Sequence, residues 1–334
     1  MMLALKTSGN GKLELVEESI PVLGMGQVLI QPVAVGICAT DLEITHGTID
    51  PAYVNYPITI GHEWSGVVVE CGEGVKRINI GDRVVVQGII PCEKCRECKG
   101  GHTNRCEVYD EYGFTRNGAA SSAVCAQEHL VHVLTAKTSD ESGALVEPAA
   151  VVTTGLLKAN PSDNARILVI GDGTIGLLSA KLARAWKPSK VDLVGLRPEQ
   201  GPLVAQADVD TFFLTSDVND EKYDLVIEAS GSKSGFEMSM TKMIRGGTLL
   251  VLGLIGHQET IPLAVDDLVN GDFTMYGSFG YTSKAWAKTV ELLNSGELDL
   301  TFLVTHKFPL TQWELGVDAL LNAPAPRGKV LLLP

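Results

Sequence analysis

Basic charge is in short supply in this chain: 27 Lys and Arg face 40 Asp and Glu, a formal net charge of −13. Proteins that grip phosphate backbones carry a basic patch or stripe, so nucleic-acid binding is excluded as the main role. There is no run of about 18 uncharged apolar residues, the length a membrane-spanning helix needs. The opening residues Met1-Met2-Leu3-Ala4-Leu5-Lys6-Thr7 lack the charged, apolar and cleavage regions of a secretory leader. Nor are the seven cysteines laid out as a disulfide framework, since four crowd into 92–106 while Cys38, Cys71 and Cys125 are scattered. A soluble cytoplasmic protein without nucleic-acid or membrane partners is expected, its thiols free for other uses.

What the chain does have is room. Its 334 residues suffice for two domains, since one compact unit usually takes about 100–200. Apolar residues at 45% support sizeable cores, and 35 glycines imply many tight turns or close backbone approaches. From Met1 to about Leu134 the pattern is one of short strands, at 27–35, 64–70, 83–86 and 129–134, punctuated by Gly72-Glu73-Gly74 and Gly81-Asp82. An irregular β-rich domain is the simplest reading.

Inside it, Cys92-x2-Cys95-x2-Cys98-x7-Cys106 places four thiols on one loop. Zinc favours four tetrahedral ligands and thiolate suits it, so these residues can close a structural site; an iron–sulfur cluster or unconnected thiols are the other readings. With every position filled by protein, such a metal holds a lobe together and does not catalyse. Catalytic zinc instead needs about three protein ligands and an open position. Cys38, His62, Glu63 and Glu147 offer soft, borderline and hard donors from separate segments, and Asp41 is placed to accept the second ring N–H of His62 and fix its tautomer. Taken singly, Cys38 reads as a buried thiol, His62 as a satisfied core histidine and Asp41 as a helix cap. Their conjunction with the four-cysteine loop favours the metal.

After Asn160-Pro161-Ser162-Asp163, strands alternate with helices. The apolar strand 166–170 runs into Gly171-Asp172-Gly173-Thr174-Ile175-Gly176 and then a helix from 177 to about 186. G-x-G-x-x-G between a strand and a helix is the context a dinucleotide loop requires, its glycines admitting a pyrophosphate to the helix N-terminus. Further strands at 191–194, 211–214, 224–228, 248–252 and 274–278 imply a parallel doubly wound sheet. Ser230, Gly253 and Leu254 follow strands at the carboxyl ends, where a nucleotide lies. An NAD site puts an acidic residue at the end of the second strand. Gly195-Leu196-Arg197-Pro198 has no carboxylate there and an Arg two residues on, which suits the 2′-phosphate of NADP, with NAD still possible. Asp172, facing a pyrophosphate it would repel, is expected to turn away.

Gly61-His62-Glu63-x-x-Gly66, Gly36-Ile37-Cys38-x-Thr40-Asp41, the Cys92–Cys106 loop and Val146-Glu147-Pro148 together resemble the zinc-containing medium-chain dehydrogenase/reductase family over essentially the whole chain. Glu rather than Cys at 147 is similar to the sorbitol/polyol and threonine dehydrogenase branch. The resemblance implies one catalytic and one structural zinc. Cys38 and His62 would bind the catalytic ion, with Glu63 and Glu147 as direct or water-mediated partners. It further implies that Thr40 hands on the substrate proton, that Glu43 stands where many relatives have a relay histidine, and that Phe114 lines the pocket. Thr154 stands where polyol-type relatives often carry a His, which bears on the substrate. An α/β architecture is implied: a GroES-like irregular β catalytic domain, 1–152 and 296–334, and a doubly wound parallel Rossmann domain, 153–295, with the open zinc site at the cleft between them. Pairing through 273–281 implies a homodimer or homotetramer, and His257 and His306 are expected to be structural.

The reaction expected is the reversible oxidation of a secondary alcohol, of polyol, sugar or amino-cyclitol type, to a ketone, with hydride passing to the nicotinamide. The alternatives are a dehydrogenase of a hydroxy amino acid or a simple secondary alcohol, and a non-catalytic NADP-binding sensor or structural protein on the same fold.

Overall fold

The computed structural model describes residues 1–256 and 258–334, so the expectation for His257 lies outside the described residues. The chain divides into two compact units, one of Met1–Glu147, Tyr281–Ala323 and Lys329–Pro334, the other of Pro148–Gly280 and Pro324–Gly328.

In the first unit the strand Gln27–Ile37 is the spine of a seven-stranded sheet. Glu63–Cys71 pairs antiparallel along one side of it, and Lys329–Leu333 along the other. Pro32 has no N–H to give the ladder, and the register with Glu63–Cys71 shifts between Pro32 and Ala34. The register then sets Gly36 opposite Glu63 and Ile37 opposite Val330. Cys38, Glu63 and Lys329 thereby collect at one end of three neighbouring strands. Beneath them Trp64, Val68, Ile30, Val35, Val84 and Val86 belong to one apolar cluster. A three-stranded sheet of Leu13–Glu18, Met2–Thr7 and Ile58–Thr59 completes the β framework.

The unit boundary falls earlier than residue 296. Helix Ser283–Ser295 buries Ala285, Trp286, Val290, Leu292 and Leu293. The Asn294 side chain accepts from the Thr135 amide at 2.9 Å and donates to the Val133 carbonyl at 2.9 Å, tying the helix to the first unit. Residues 324–328 join the second unit, where the Arg327 amide donates to Gln200 Oε1 at 2.7 Å.

The second unit holds six parallel strands in the order Thr211–Leu214, Lys190–Gly195, Arg166–Ile170, Tyr223–Glu228, Met243–Val251, Thr274–Gly277. Numbered along this unit that is 3-2-1-4-5-6, the order of a dinucleotide-binding sheet, whose ligand crevice lies where the winding reverses beyond the first strand. The expected helix 177–186 begins one turn earlier, at Thr174, and ends at Ala183, with Arg184–Trp186 as a 3₁₀ turn. The expected strand 248–252 is longer, Met243–Val251. Among the described residues no helix is long and apolar enough to cross a membrane.

Candidate active site and nucleotide loop

The site is assembled around a helix cap. Cys38 is the N-cap of helix Ala39–His46: its sulfur accepts from the Thr40 amide at 3.2 Å, and Asp41 Oδ2 accepts from the Cys38 amide at 2.9 Å, a capping box. Asp41 is fully buried. Its other oxygen accepts from the Gly61 amide at 3.2 Å and lies 3.3 Å from His62 Nδ1, a close contact without hydrogen-bond geometry. The capping reading of Asp41 is met, and its second oxygen faces the His62 ring without the hydrogen bond that would fix the tautomer. Burial pushes the Asp41 carboxyl up, but the His62 ring and the two amides outweigh it and hold it below its usual range.

With Nδ1 facing Asp41, the other ring nitrogen is left for the remaining donors. Cys38 Sγ lies 3.3 Å from His62 Nε2, and Glu63 Oε1 lies 4.0 Å from it. The donor atoms of His62, Glu63 and Glu147 all lie within 4.8 Å of one another, as do those of Cys38, Asp41 and His62. Phe114 packs against the His62 ring, centroids 5.3 Å apart. Burial, with Glu63 and Glu111 close by, pushes the Glu147 carboxyl up to about 8.

This donor set fits a divalent cation. A thiol, an imidazole and two carboxylates converge with more acid than base around them, and a cation is what lets such groups ionise together. The loop thiols fit for a similar reason. The four sulfurs of Cys92, Cys95, Cys98 and Cys106 lie within 4.8 Å of one another. Backbone amides donate to three of them, Cys92 to Cys106, Cys95 to Cys92 and Cys98 to Cys95. The amides of Glu107 and Cys98 hold Cys95 down at about 6, while burial pushes Cys98 up to about 12: four crowded thiols do not all ionise unaided. Arg105, next to Cys106, pairs with Glu97 at 2.8 Å.

Two groups were not legible as site residues. Lys329, at the start of the closing strand, donates to Glu63 and to the Ile37 carbonyl. Burial pushes its ammonium down, but Glu63 and Cys38 more than reverse this. A lysine opening the otherwise apolar run Lys329-Val330-Leu331-Leu332-Leu333 was the available signal. Glu111 is buried and accepts from Tyr109, and burial raises its carboxyl to about 7; the acidic stretch around it gave no such hint. The structure does not bring Glu43 to the site. Glu43 lies two residues past buried Asp41, on the opposite flank of the helix, and is exposed. Thr40 is half-buried in the first turn, and Thr154 Oγ1 is turned into its own helix, donating to the Ala150 carbonyl at 2.9 Å. His306 contacts Thr305 and stacks near Phe308, and belongs to neither donor group.

In the second unit the loop Gly171–Gly176 is shaped by lack of side chains. Gly171 has φ +120°, and a Cβ there would lie 2.8 Å from the backbone of Ala229 and Ser230; one at Gly176 would collide with the Gly171 carbonyl. Gly173 is different: a Cβ there would meet nothing within 4 Å. It is the N-cap of helix Thr174–Ala183 and makes no side-chain cap bond, so open space faces the first-turn amides of Thr174 and Ile175, a cradle for a pyrophosphate. Ser230 is tied inward, its hydroxyl and amide both donating to buried Glu228. Gly253 packs against Gly231, and Leu254 is exposed. Asp172 does turn away from the cradle, towards Gly195, Leu196 and Arg197.

A β-rich unit with a buried donor cluster and a parallel unit with an open dinucleotide cradle define a metal- and nucleotide-using oxidoreductase class. Residues 24–136 match the alcohol dehydrogenase GroES-like domain, and residues 174–295 the zinc-binding dehydrogenase domain. Curated relatives include erythritol/L-threitol dehydrogenase of Mycolicibacterium smegmatis, 30% identical over 100% of this chain and 98% of the relative. Another is sorbitol dehydrogenase of Halalkalibacterium halodurans, 29% identical over 98% and 97%. Among solved structures, 2R,3R-butanediol dehydrogenase from Bacillus subtilis superposes with a TM-score of 0.90 at 26% identity, covering all of both chains. A zinc-binding dehydrogenase from Sinorhizobium meliloti bound to NADP gives 0.92 at 25%, covering 100% of this chain and 99% of its own. The chain belongs to the zinc-type alcohol dehydrogenases of the medium-chain dehydrogenase/reductase family. It is an enzyme of that kind, oxidising CH–OH groups of small hydroxylated substrates with a nicotinamide cofactor.

Proposed function

We propose that the substrate is a short polyol or sugar-type compound whose secondary hydroxyl is reversibly oxidised to a ketone, with NADP preferred. The observation that carries the proposal is the gathering of Cys38, Glu63 and Glu147 donor atoms around buried His62. Relatives named for sorbitol, erythritol, L-threitol and 2R,3R-butanediol support the substrate class.

Cys38, His62 and Glu147 would hold the catalytic zinc, and Cys92, Cys95, Cys98 and Cys106 the structural one. Bound zinc supplies a Lewis acid that lowers the proton affinity of the substrate oxygen. Asp41, 3.3 Å from His62 Nδ1, would take the ring N–H there and leave the Nε2 lone pair for the ion. Lys329 pairs with Glu63, so Glu63 would reach a bound metal only by loosening that pair. Thr40, half-buried in the first turn of the helix that Cys38 caps, would accept the substrate hydroxyl proton and release it to solvent. The cradle at Gly173–Gly176 would receive the pyrophosphate, and the Arg197 guanidinium would meet a 2′-phosphate. A screen of polyols and simple alcohols with NADP and NAD in parallel, read at the reduced-nicotinamide absorbance, is expected to favour vicinally hydroxylated substrates. Equal turnover of simple monohydric alcohols would argue for the simpler substrate class.

Strand Thr274–Gly277 forms an edge of its sheet, and Tyr276, Phe279, Val265 and Val269 nearby are exposed. An uncovered edge with apolar neighbours is built for pairing. A homodimer or homotetramer through this edge is the assembly proposed, and a monomer by light scattering at micromolar concentration contradicts it. The seven free cysteines suit a reducing cytoplasm, where thiol titration of freshly isolated protein should find no disulfide.

A further inference from the structure

The carboxylate that an NAD site carries at the end of its second strand is missing at Gly195, yet a carboxylate occupies that space. It comes from Asp172, the second residue of the phosphate loop. A Cβ built on Gly195 would stand 2.7 Å from both Cβ and Oδ2 of Asp172, so the two positions cannot both carry an acidic side chain as placed here. Asp172 is 6% exposed, and its oxygens are fully engaged. Oδ2 accepts from the amides of Leu196 at 3.1 Å and Arg197 at 3.0 Å, and from Arg197 Nε at 3.3 Å. Oδ1 accepts from Arg197 Nη2 at 2.6 Å. The Asp172 carbonyl accepts from Arg197 Nη2 at 3.2 Å and from Gln200 Nε2 at 2.8 Å.

A carboxylate so occupied is not free to accept a ribose hydroxyl. Its effect falls on Arg197, whose Nε–Nη2 edge it grips while no protein acceptor engages Nη1 among the described residues. An arginine on an open surface is a flexible donor that must be ordered when it binds phosphate. This one is ordered beforehand, through an acid standing on the opposite edge of the guanidinium from a ligand at Nη1.

We propose that Asp172 is a positioning residue for cofactor choice: by occupying the space above Gly195 it excludes an NAD-type carboxylate and pre-sets Arg197 to read the 2′-phosphate of NADP. The proposal rests on the NADP preference proposed above. Its residues act on the adenosine end of the cofactor, remote in sequence from the Cys38–His62 donors.

The test is calorimetric binding of NADPH, NADH, 2′,5′-ADP and 5′-AMP to the full-length protein, with no turnover involved. Asp172→Asn is expected to weaken NADPH and 2′,5′-ADP about five- to tenfold, the range for newly freezing one flexible side chain at binding. NADH and 5′-AMP should change by less than about twofold, since the cradle for the pyrophosphate is untouched. In an Arg197→Ala background Asp172→Asn should produce no further loss of phosphate discrimination, because its effect runs through Arg197. Gly195→Ala, whose methyl would press on the Asp172 carboxylate, should reproduce the selective loss in a protein that keeps the acid. Equal weakening of NADPH and NADH by Asp172→Asn, or an undiminished effect without Arg197, would show a role in loop shape only and overturn the proposal. Failure of the underlying NADP reading looks different: Arg197→Ala alone would leave the NADPH-to-NADH affinity ratio of the wild type unchanged.

Discussion

Cys38→Ser is expected to lower kcat/KM by about a thousandfold or more, with the fold intact. Metal polarisation is worth several kcal/mol of transition-state stabilisation, and each tenfold in rate is about 1.36 kcal/mol. A hydroxyl is a far poorer zinc ligand than a thiolate, so the ligand set loses its softest member. The substitution is mild in every other respect. Cys38 caps helix Ala39–His46 by accepting from the Thr40 amide, and serine is among the preferred residues at that position. Circular dichroism and NADPH affinity should stay at wild-type values while steady-state turnover collapses. Retention of more than a tenth of the activity would remove Cys38 from the metal.

Lys329→Met is expected to destabilise the protein by about 3–5 kcal/mol, because it strands one charge of a buried ion pair. Lys329 is 4% exposed and Glu63 is 2% exposed, so water cannot compensate either partner. The double substitution Lys329→Met with Glu63→Gln should recover most of the loss, since replacing both members of a buried pair is often close to neutral. Urea unfolding followed by tryptophan fluorescence, to which buried Trp64 beside Glu63 contributes, reports the change. If Lys329→Met alone stays within about 1 kcal/mol of wild type, Glu63 has another counter-charge and the lysine is not its restraint.

Much of this was legible in the residues. Four closely spaced thiols admit few other readings, and they do converge; Gly171–Gly176 sits between a strand and a helix as its spacing requires. Strand positions followed apolar runs because buried strands carry them, and boundaries slipped by a few residues where ladders outran the apolar core, as in Met243–Val251. What sequence could not supply was register. The meeting of Lys329 with Glu63 depends on two antiparallel pairings, Ile37 with Val330 and Gly36 with Glu63, that join segments 266 residues apart. Glu43 misled for the converse reason. Its place in the chain suggested a relay, but helical periodicity carries it round to the exposed flank, away from Asp41. Asp172 was expected to avoid the pyrophosphate, and it does, yet only the packing of Gly195 revealed where it goes.

The central claim is that Cys38 and His62 belong to an open zinc site distinct from the closed four-cysteine loop. Elemental analysis of purified protein by inductively coupled plasma mass spectrometry tests it most directly, on wild type, His62→Ala and Cys106→Ser in parallel. Two zinc ions per chain in the wild type and one in His62→Ala are predicted, with Cys106→Ser losing the other ion. A single zinc per chain in the wild type, unchanged by His62→Ala, would contradict the claim.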